Sequence, residues 1–559
     1  MDFEALAAEC HSAAFRESFG ASPVWTQASN AIIDCIQQLQ DEIRSPGFAQ
    51  NAAASDMQDA GDDGLGYTFH VDRKNPTAES LQQDFSPPKP VVGHVGRASS
   101  QVGAVTSVFR FLRNACAACS DNQDACLDAG LIKLAHDVAV YCCVWVDVEE
   151  EALQGQVVLL AQVALQFCVN CVTSNTKNQA AAWELFFPDD FQKMLVECHQ
   201  YRKIVAFAVA LILNCVNSNS SVTLEVEATA GRRADLVCAR NLVITILHRC
   251  MVKPPTSIES DVSLQYGPHI DDQDPAFEWI CTLFGVLFQD GHSKDLYNAV
   301  GAHMLSKLWS RVTPEQLILL RMFTMWAVSA LKSPSTITTP EEGGGKLPLP
   351  EGTFEFVKGT WTYVITAGDE DRPDEADEIR KKVWIELENE AKLMLLDVLG
   401  ELTVAHTRVN PEVTKELLLS LLQELQRVWE LGRQNPTTKN MRGAGPIQTN
   451  GEPFGYRSGL IRAIGNISFR HTDHQDLVRE EGYLHLFLNH CNIDEANPLI
   501  REWSLVALRN LCEGNEANQS YINGLRPQGM DAASNAALEK AKMRADIGED
   551  GKVKLAKEE

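Results

Sequence analysis

The sequence predicts an all-α chain: an armadillo/HEAT-like α-solenoid, a superhelical stack of short helical units broken by long loop insertions. Three observations predict it. An asparagine recurs inside apolar helical runs, usually with a glutamine nine residues later. Neighbouring copies step by 44 residues, inside the roughly 40–47 expected of such units. Around each asparagine the apolar residues gather on one helical face, as a turn of 100° per residue requires.

The asparagines are Asn114, Asn170, Asn214, Asn466 and Asn510, in FLRNACAACSDNQ, FCVNCVTSNTKNQ, LILNCVNSNSSVT, AIGNISFRHTDHQ and ALRNLCEGNEANQ. Four copies carry the glutamine: Gln123, Gln179, Gln475 and Gln519. Asn170 to Asn214 and Asn466 to Asn510 are the 44-residue steps, while Asn114 to Asn170 is 56, which reads as one unit plus a twelve-residue insertion near Val146 to Gly155. In the last copy Ser504, Leu505, Ala507, Leu508, Leu511 and Cys512 share the expected core face, with Trp503, Val506 and Asn510 opposite. Each asparagine is expected to face away from the core. Asn122, Asn178 and Asn518 precede the glutamine, where a side-chain oxygen is expected to cap the next helix, and His474 takes that place in the fourth copy. Gly130 and Gly482 suit a turn with positive φ.

Composition then divides the chain. Residues 1–44 read as N-terminal helices, 45–100 as a low-complexity loop and 101–252 as the N-terminal repeat block. A linker at 253–275 leads to a central helical region, 276–433, holding a loop at 333–353. Its amphipathic stretches, Ala276 to Gln289, Pro314 to Leu331, Glu375 to Leu402 and Val413 to Gly432, do not align to the asparagine register. A second linker, 434–455, precedes the C-terminal repeats at 456–525 and a charged tail at 526–559. In that tail Asn535 to Arg544 reads as helix and Asp550-Gly551 as the turn of a small hairpin.

Charge and chemistry narrow the function. A net charge of -26 repels phosphate backbones and anionic lipid, so neither nucleic acid nor membrane insertion is expected. Asp2 and Glu4 stand where a secretory signal would be basic, and the apolar run Ile204 to Leu213 is too short to span a bilayer, so a cytosolic protein with reduced thiols is expected. The CxxC pairs Cys116/Cys119 and Cys168/Cys171 resemble a zinc or redox signal, but three of the four fall on core positions of the repeat helix. His471, His474, His485, His490 and Cys491 read as ordinary surface residues before they read as a metal set. No cofactor, metal or catalytic residue is assigned, and a thiol or zinc enzyme is the remote alternative. The partner-binding candidates are Asn114, Asn170, Asn214, Arg462, Asn466, Trp503 and Asn510, whose amides would pair with an extended peptide unless each ties its helix to a neighbour. A nuclear-transport type of peptide adaptor is the nearer alternative. It would need tryptophan four residues before each asparagine, where this chain has Arg110, Gln166, Ala210, Arg462 and Val506.

Phe454 to Gln519 resembles the C-terminal domain of the ataxin-10 family. The resemblance rests on Phe454-Gly455-Tyr456, Leu460-Ile461-Arg462, Gly465-Asn466, Asn492-Ile493-Asp494, Asn497-Pro498, Glu502-Trp503, Arg509-Asn510-Leu511 and Asn518-Gln519. The ending GEDGKVKL is also similar to tails in that family. The resemblance implies an armadillo-like cytosolic protein without enzymatic activity. With the repeat pattern, a scaffold that binds other proteins through its groove is expected, and a homo-oligomer is open. The resemblance further implies links to cytokinesis, basal bodies or cilia, and signalling.

Overall fold

A computed structural model describes residues 1–20, 22–44, 91–92, 94–148, 150–217, 223–250, 274–301, 311–332, 348–366, 378–404, 410–434, 452–492, 494, 496–525, 538–540, 542–547 and 553–557. The four expected breaks lie mostly outside these residues. A helix nonetheless opens at Val95, inside the first of them, and another at Thr353, the last residue of the third.

The described chain is an all-α solenoid. Helices α1 (Phe3–Glu9), α2 (Ala13–Glu17) and α3 (Val24–Glu42) lead through the two-residue strands β1 (Ile43–Arg44) and β2 (Val91–Val92) into the repeats. These begin with α4 (Val95–Ala115), α5 (Ser120–Asp128), α6 (Leu131–Trp145), α7 (Glu151–Val172), α8 (Thr176–Phe186), α9 (Asp189–Glu197) and α10 (Arg202–Val216). They continue with α11 (Thr223–Cys238), α12 (Arg240–His248), α13 (Phe277–Gln289), α14 (Ser293–Gly301), α15 (Pro314–Lys332) and α16 (Thr353–Ile365). Next come α17 (Glu378–Leu402), α18 (Pro411–Gln434), α19 (Tyr456–Ile467), α20 (Thr472–Glu480), α21 (Leu484–Asn489), α22 (Ile500–Cys512) and α23 (Glu516–Gly524). A hairpin of β3 (Met543–Ile547) and β4 (Val553–Lys557) follows, antiparallel with Ala545 opposite Leu555. Arg544 is therefore strand, where the sequence pattern suggested helix.

The chain forms two compact units: Met1–Leu305 with Thr313–Phe323, and Ser306–Val312 with Thr324–Glu559. In the first, α4, α7, α10 and α13 stack side by side. Their shared face buries Phe109, Leu112, Leu165, Cys168, Val209 and Ile212 completely, and this apolar burial is the main driving force for stacking. Phe111 closes the N-terminal side against Phe3, Phe19 and Trp25. Helix α7 is long and apolar enough to cross a membrane by length and composition. Its apolar residues, however, are buried between α4, α6 and α10, as in a core helix. In the second unit α17, α19 and α22 stack in the same way, with α18 packed against α19.

The twelve extra residues between Asn114 and Asn170 do not form a loop. They lengthen the helices: α6 has 15 residues against 9 in the equivalent α9, and α7 has 22 against 15 in α10. Gly130 and Gly482 do hold positive φ, +68° and +78°. The second copy turns at Phe187-Pro188 instead, and in the third α11 runs straight through the position.

Candidate functional site

The asparagines obey one rule. Asn170 Nδ2 donates to Arg113 O at 2.9 Å, Asn214 to Val169 O at 3.3 Å and Asn510 to Gly465 O at 3.0 Å. The acceptor is always the residue just before the preceding asparagine. Asn114 donates to Ala7 O at 2.9 Å and Asn466 to Gly400 O at 3.0 Å. The rule therefore places Ala8 of α1 and Glu401 of α17 at ladder positions that carry no asparagine. The expectation that the asparagines face the open groove is corrected accordingly: Asn510 is buried and the other four are half-buried, each tied to the unit before it. An angular register cannot separate a face turned to solvent from one turned to the neighbouring helix.

The capping expectation is also corrected. The capping side chains are Asn175, His471 and Asn515, which accept from the backbone N–H groups of Asn178, His474 and Asn518. Asn122, Asn178 and Asn518 sit three residues further on and donate. Their Nδ2 atoms reach Ala115 O, Cys171 O and Leu511 O at 2.8, 2.9 and 2.7 Å, and His474 Nδ1 meets Ile467 O at 3.1 Å. The following glutamines donate to the next carbonyl along, Cys116, Val172, Ser468 or Cys512. Last-turn carbonyls have no partner inside their own helix, so each amide pair satisfies two of them.

Gln123 and Gln475 also cross the joint between units. Gln123 Nε2 donates to Asn170 O at 2.8 Å and Thr173 O at 3.3 Å, and Gln475 Nε2 to Asn510 O at 2.8 Å and Glu513 O at 3.2 Å. The third copy lacks the amide pair, and Arg232-Arg233 replaces it. Arg232 Nε donates to Cys215 O and Arg233 Nη1 to Val216 O, the same two positions after the asparagine, while Arg233 continues to Asp290 at 2.7 Å. The sequence reading missed this pair because it lies further along the following helix, 18 and 19 residues after the asparagine instead of eight and nine.

Arg462 and Trp503 come together on the ladder side of the second unit. The Arg462 guanidinium lies 5.6 Å from the centre of the Trp503 ring and bonds Glu401 at 2.6 Å. Lys332 reaches Glu401 at 3.4 Å. Burial raises the nearby Asp397 carboxyl pKa, with Arg462 opposing. Beside them Leu499 is 62% exposed and Val506 37%. Leu499 also holds φ +58°, an uncommon conformation for a side chain of that size.

The cysteine and histidine clusters are packing. Cys116, Cys168 and Cys171 are fully buried, Cys119 nearly so, and burial pushes the Cys116 and Cys168 thiols far above the ordinary range. His474 and His490 are buried, against the surface expectation. His490 Nδ1 meets Leu486 O at 2.7 Å, and the His474 ring stacks on His471 with centres 3.6 Å apart. Among the described residues no group of three His, Cys, Asp or Glu is arranged to hold a metal.

Comparison with known proteins agrees with this geometry. Residues 456–556 match the family model described as the Spinocerebellar ataxia type 10 protein domain. Ataxin-10 of Macaca fascicularis is 28% identical over 446 residues, covering 78% of this chain and 79% of that protein. Ataxin-10 of Homo sapiens is 27% identical over 445 residues, with the same coverage. The ataxin-10 homolog of Dictyostelium discoideum is 41% identical over 101 residues, 18% of this chain and 16% of its own. The chain is thus distantly similar to ataxin-10 proteins along most of its length, and the likeness sharpens over its last repeats.

Proposed function

We propose that the chain is a non-catalytic scaffold of the cytosol that binds other proteins in the groove of its second unit, through Leu499, Trp503 and Val506 with Arg462 beside them. One observation carries the reading. Leu499, the N-cap of α22, is 62% exposed, and half-buried Trp503 and exposed Val506 follow within the helix. With Leu505, 52% exposed, they leave apolar surface open on a helix whose Ala507 and Leu511 are buried. Leu499 combines this exposure with a φ of +58°, uncommon for a side chain of that size. An apolar segment laid along the stripe would also meet the Trp503 face, already ordered by Arg462. The ladder asparagines then support the site without touching the partner, since their amide nitrogens are bonded to the previous unit.

The test is a Leu499→Asp, Trp503→Ala, Val506→Asp triple variant of the full chain, with helicity checked by circular dichroism and partners compared after affinity capture from the native organism. The reading expects partners to be lost that crosslink to α22 in the unaltered chain. A partner set unchanged by the triple variant would overturn it.

A further inference from the structure

Arg110 and Arg462 stand at equivalent positions, each four residues before its ladder asparagine, and they meet different surroundings. In the second unit the ladder position before Asn466 is Glu401, whose carboxylate accepts from Arg462 at 2.6 Å. One turn earlier on the same helix stands Asp397, raised in pKa by burial and drawn back by the Arg462 charge. In the first unit the ladder position before Asn114 is Ala8, which is exposed and has no carboxylate to offer. Glu4, the counterpart of Asp397, is exposed, and among the described residues neither its side chain nor that of Arg110 forms an ion pair or a hydrogen bond. In a chain with 75 acidic residues against 49 basic ones, an arginine left without a carboxylate calls for a reason.

Arg113 adds a second charge that no carboxylate neutralises. It follows Arg110 by three residues, on the same side of α4, and its bonds run to neutral amides, Nε to Asn114 Oδ1 at 3.0 Å and Nη1 to Gln166 Oε1 at 2.7 Å. Burial, and then the Arg110 charge, lower its pKa from the usual value, the sign expected of two adjacent guanidinium groups. The two amides fix the plane of Arg113, while among the described residues its Nη2 and every donor of Arg110 stay available, a fork that suits a carboxylate. Arg110 and Arg113 are half-buried beside exposed Ala8 and Glu4. The position is therefore an open shelf, where a group carried on a longer chain can seat, and not an enclosure that would bury most of a small molecule.

We propose that Arg110 and Arg113 hold a carboxylate side chain of an acidic peptide laid over α1 and α4, in the place that Glu401 fills in the second unit. The site lies in the first unit, so it stands or falls independently of partner binding at α22. The experiment treats the native full chain with p-hydroxyphenylglyoxal, which modifies guanidinium groups, and follows Arg110 by peptide mass spectrometry, with exposed Arg470 as the internal reference. A capped hexaglutamate peptide at saturation is expected to slow modification of Arg110 about tenfold and that of Arg470 scarcely at all. Ala8→Glu supplies the missing carboxylate from an exposed position. It is expected to slow modification of Arg110 without the peptide and to leave the peptide no further effect. Equal protection of Arg110 and Arg470, or protection by the peptide undiminished in Ala8→Glu, would overturn the proposal. So would protection by glutarate or inorganic phosphate equal to that by the peptide at matched charge, because a free anion would then be the ligand.

Discussion

Gln475 and Gln519 occupy the same position in two copies of the repeat, yet removing them should have very different consequences. Gln475 is 1% exposed, and its Nε2 serves three carbonyls: Ser468 at the end of its own ladder helix, and Asn510 and Glu513 of the next unit. Gln475→Leu keeps the length and much of the volume but leaves Asn510 O buried without this donor, while Ser468 O keeps a 3.4 Å bond from His471 N and Glu513 is exposed to water. At about 1–3 kcal/mol for a buried group left without a partner, and with the bonds at the other two carbonyls lost as well, the loss is about 2–3 kcal/mol. Gln519 is exposed and donates to Cys512 O alone, so water replaces it and Gln519→Leu costs at most about 0.5 kcal/mol. Hydrogen exchange measured separately on Ile500–Cys512 suits a chain of two units better than a single melting temperature. Gln475→Leu should speed exchange there by about two orders of magnitude and Gln519→Leu scarcely at all. Equal effects of the two substitutions would refute the idea that the glutamine acts as a clasp between units.

Other outcomes follow from the same geometry. A Cβ on Gly465 would stand 3.1 Å from both Cα and Cβ of Ala507, so Gly465→Ala should cost about 1–3 kcal/mol. Gly103→Ala meets nothing within 4 Å and should stabilise by up to about 1 kcal/mol, both read by chemical denaturation. Burial alone would raise the Glu315 carboxyl pKa, but hydrogen bonds from His248 and its own backbone hold it at about 2 against an ordinary 4.5. A depressed carboxyl stabilises the folded state fully above its unfolded value. About 3 kcal/mol of first-unit stability should therefore fade as pH falls from 4.5 toward 2, and Glu315→Gln should flatten that dependence in acid titrations of unfolding. In the native chain Cys238 should react with maleimide rapidly, and Cys116, Cys126, Cys168 and Cys171 only on unfolding.

Much of the fold is legible in the sequence because the asparagine and glutamine recur at fixed offsets from an apolar stripe. That pattern correctly locates α4, α7, α10, α19 and α22. It fails where a different residue performs the same task. Arg232 and Arg233 reach the carbonyls from further along the following helix, and Glu401 occupies the ladder position with a carboxylate whose partner is Arg462. The pattern also misplaces Leu505, because a heptad-like stripe records which residues are apolar and not whether a neighbour arrives to cover them. Of the candidate site, Arg462 and Trp503 were visible as unusual side chains at groove positions. Leu499 was not, since it lies outside the helical register, at the N-cap of α22, where an apolar pattern says nothing of exposure.

Every bond by which Asn170, Gln123 or Gln475 couples one unit to the next ends on a backbone carbonyl. Such a coupling is blind to the identity of the residue it grips. Units joined this way can exchange nearly every outward side chain and still meet at the same angle, so the assembly rule and the recognition surface are free to diverge independently.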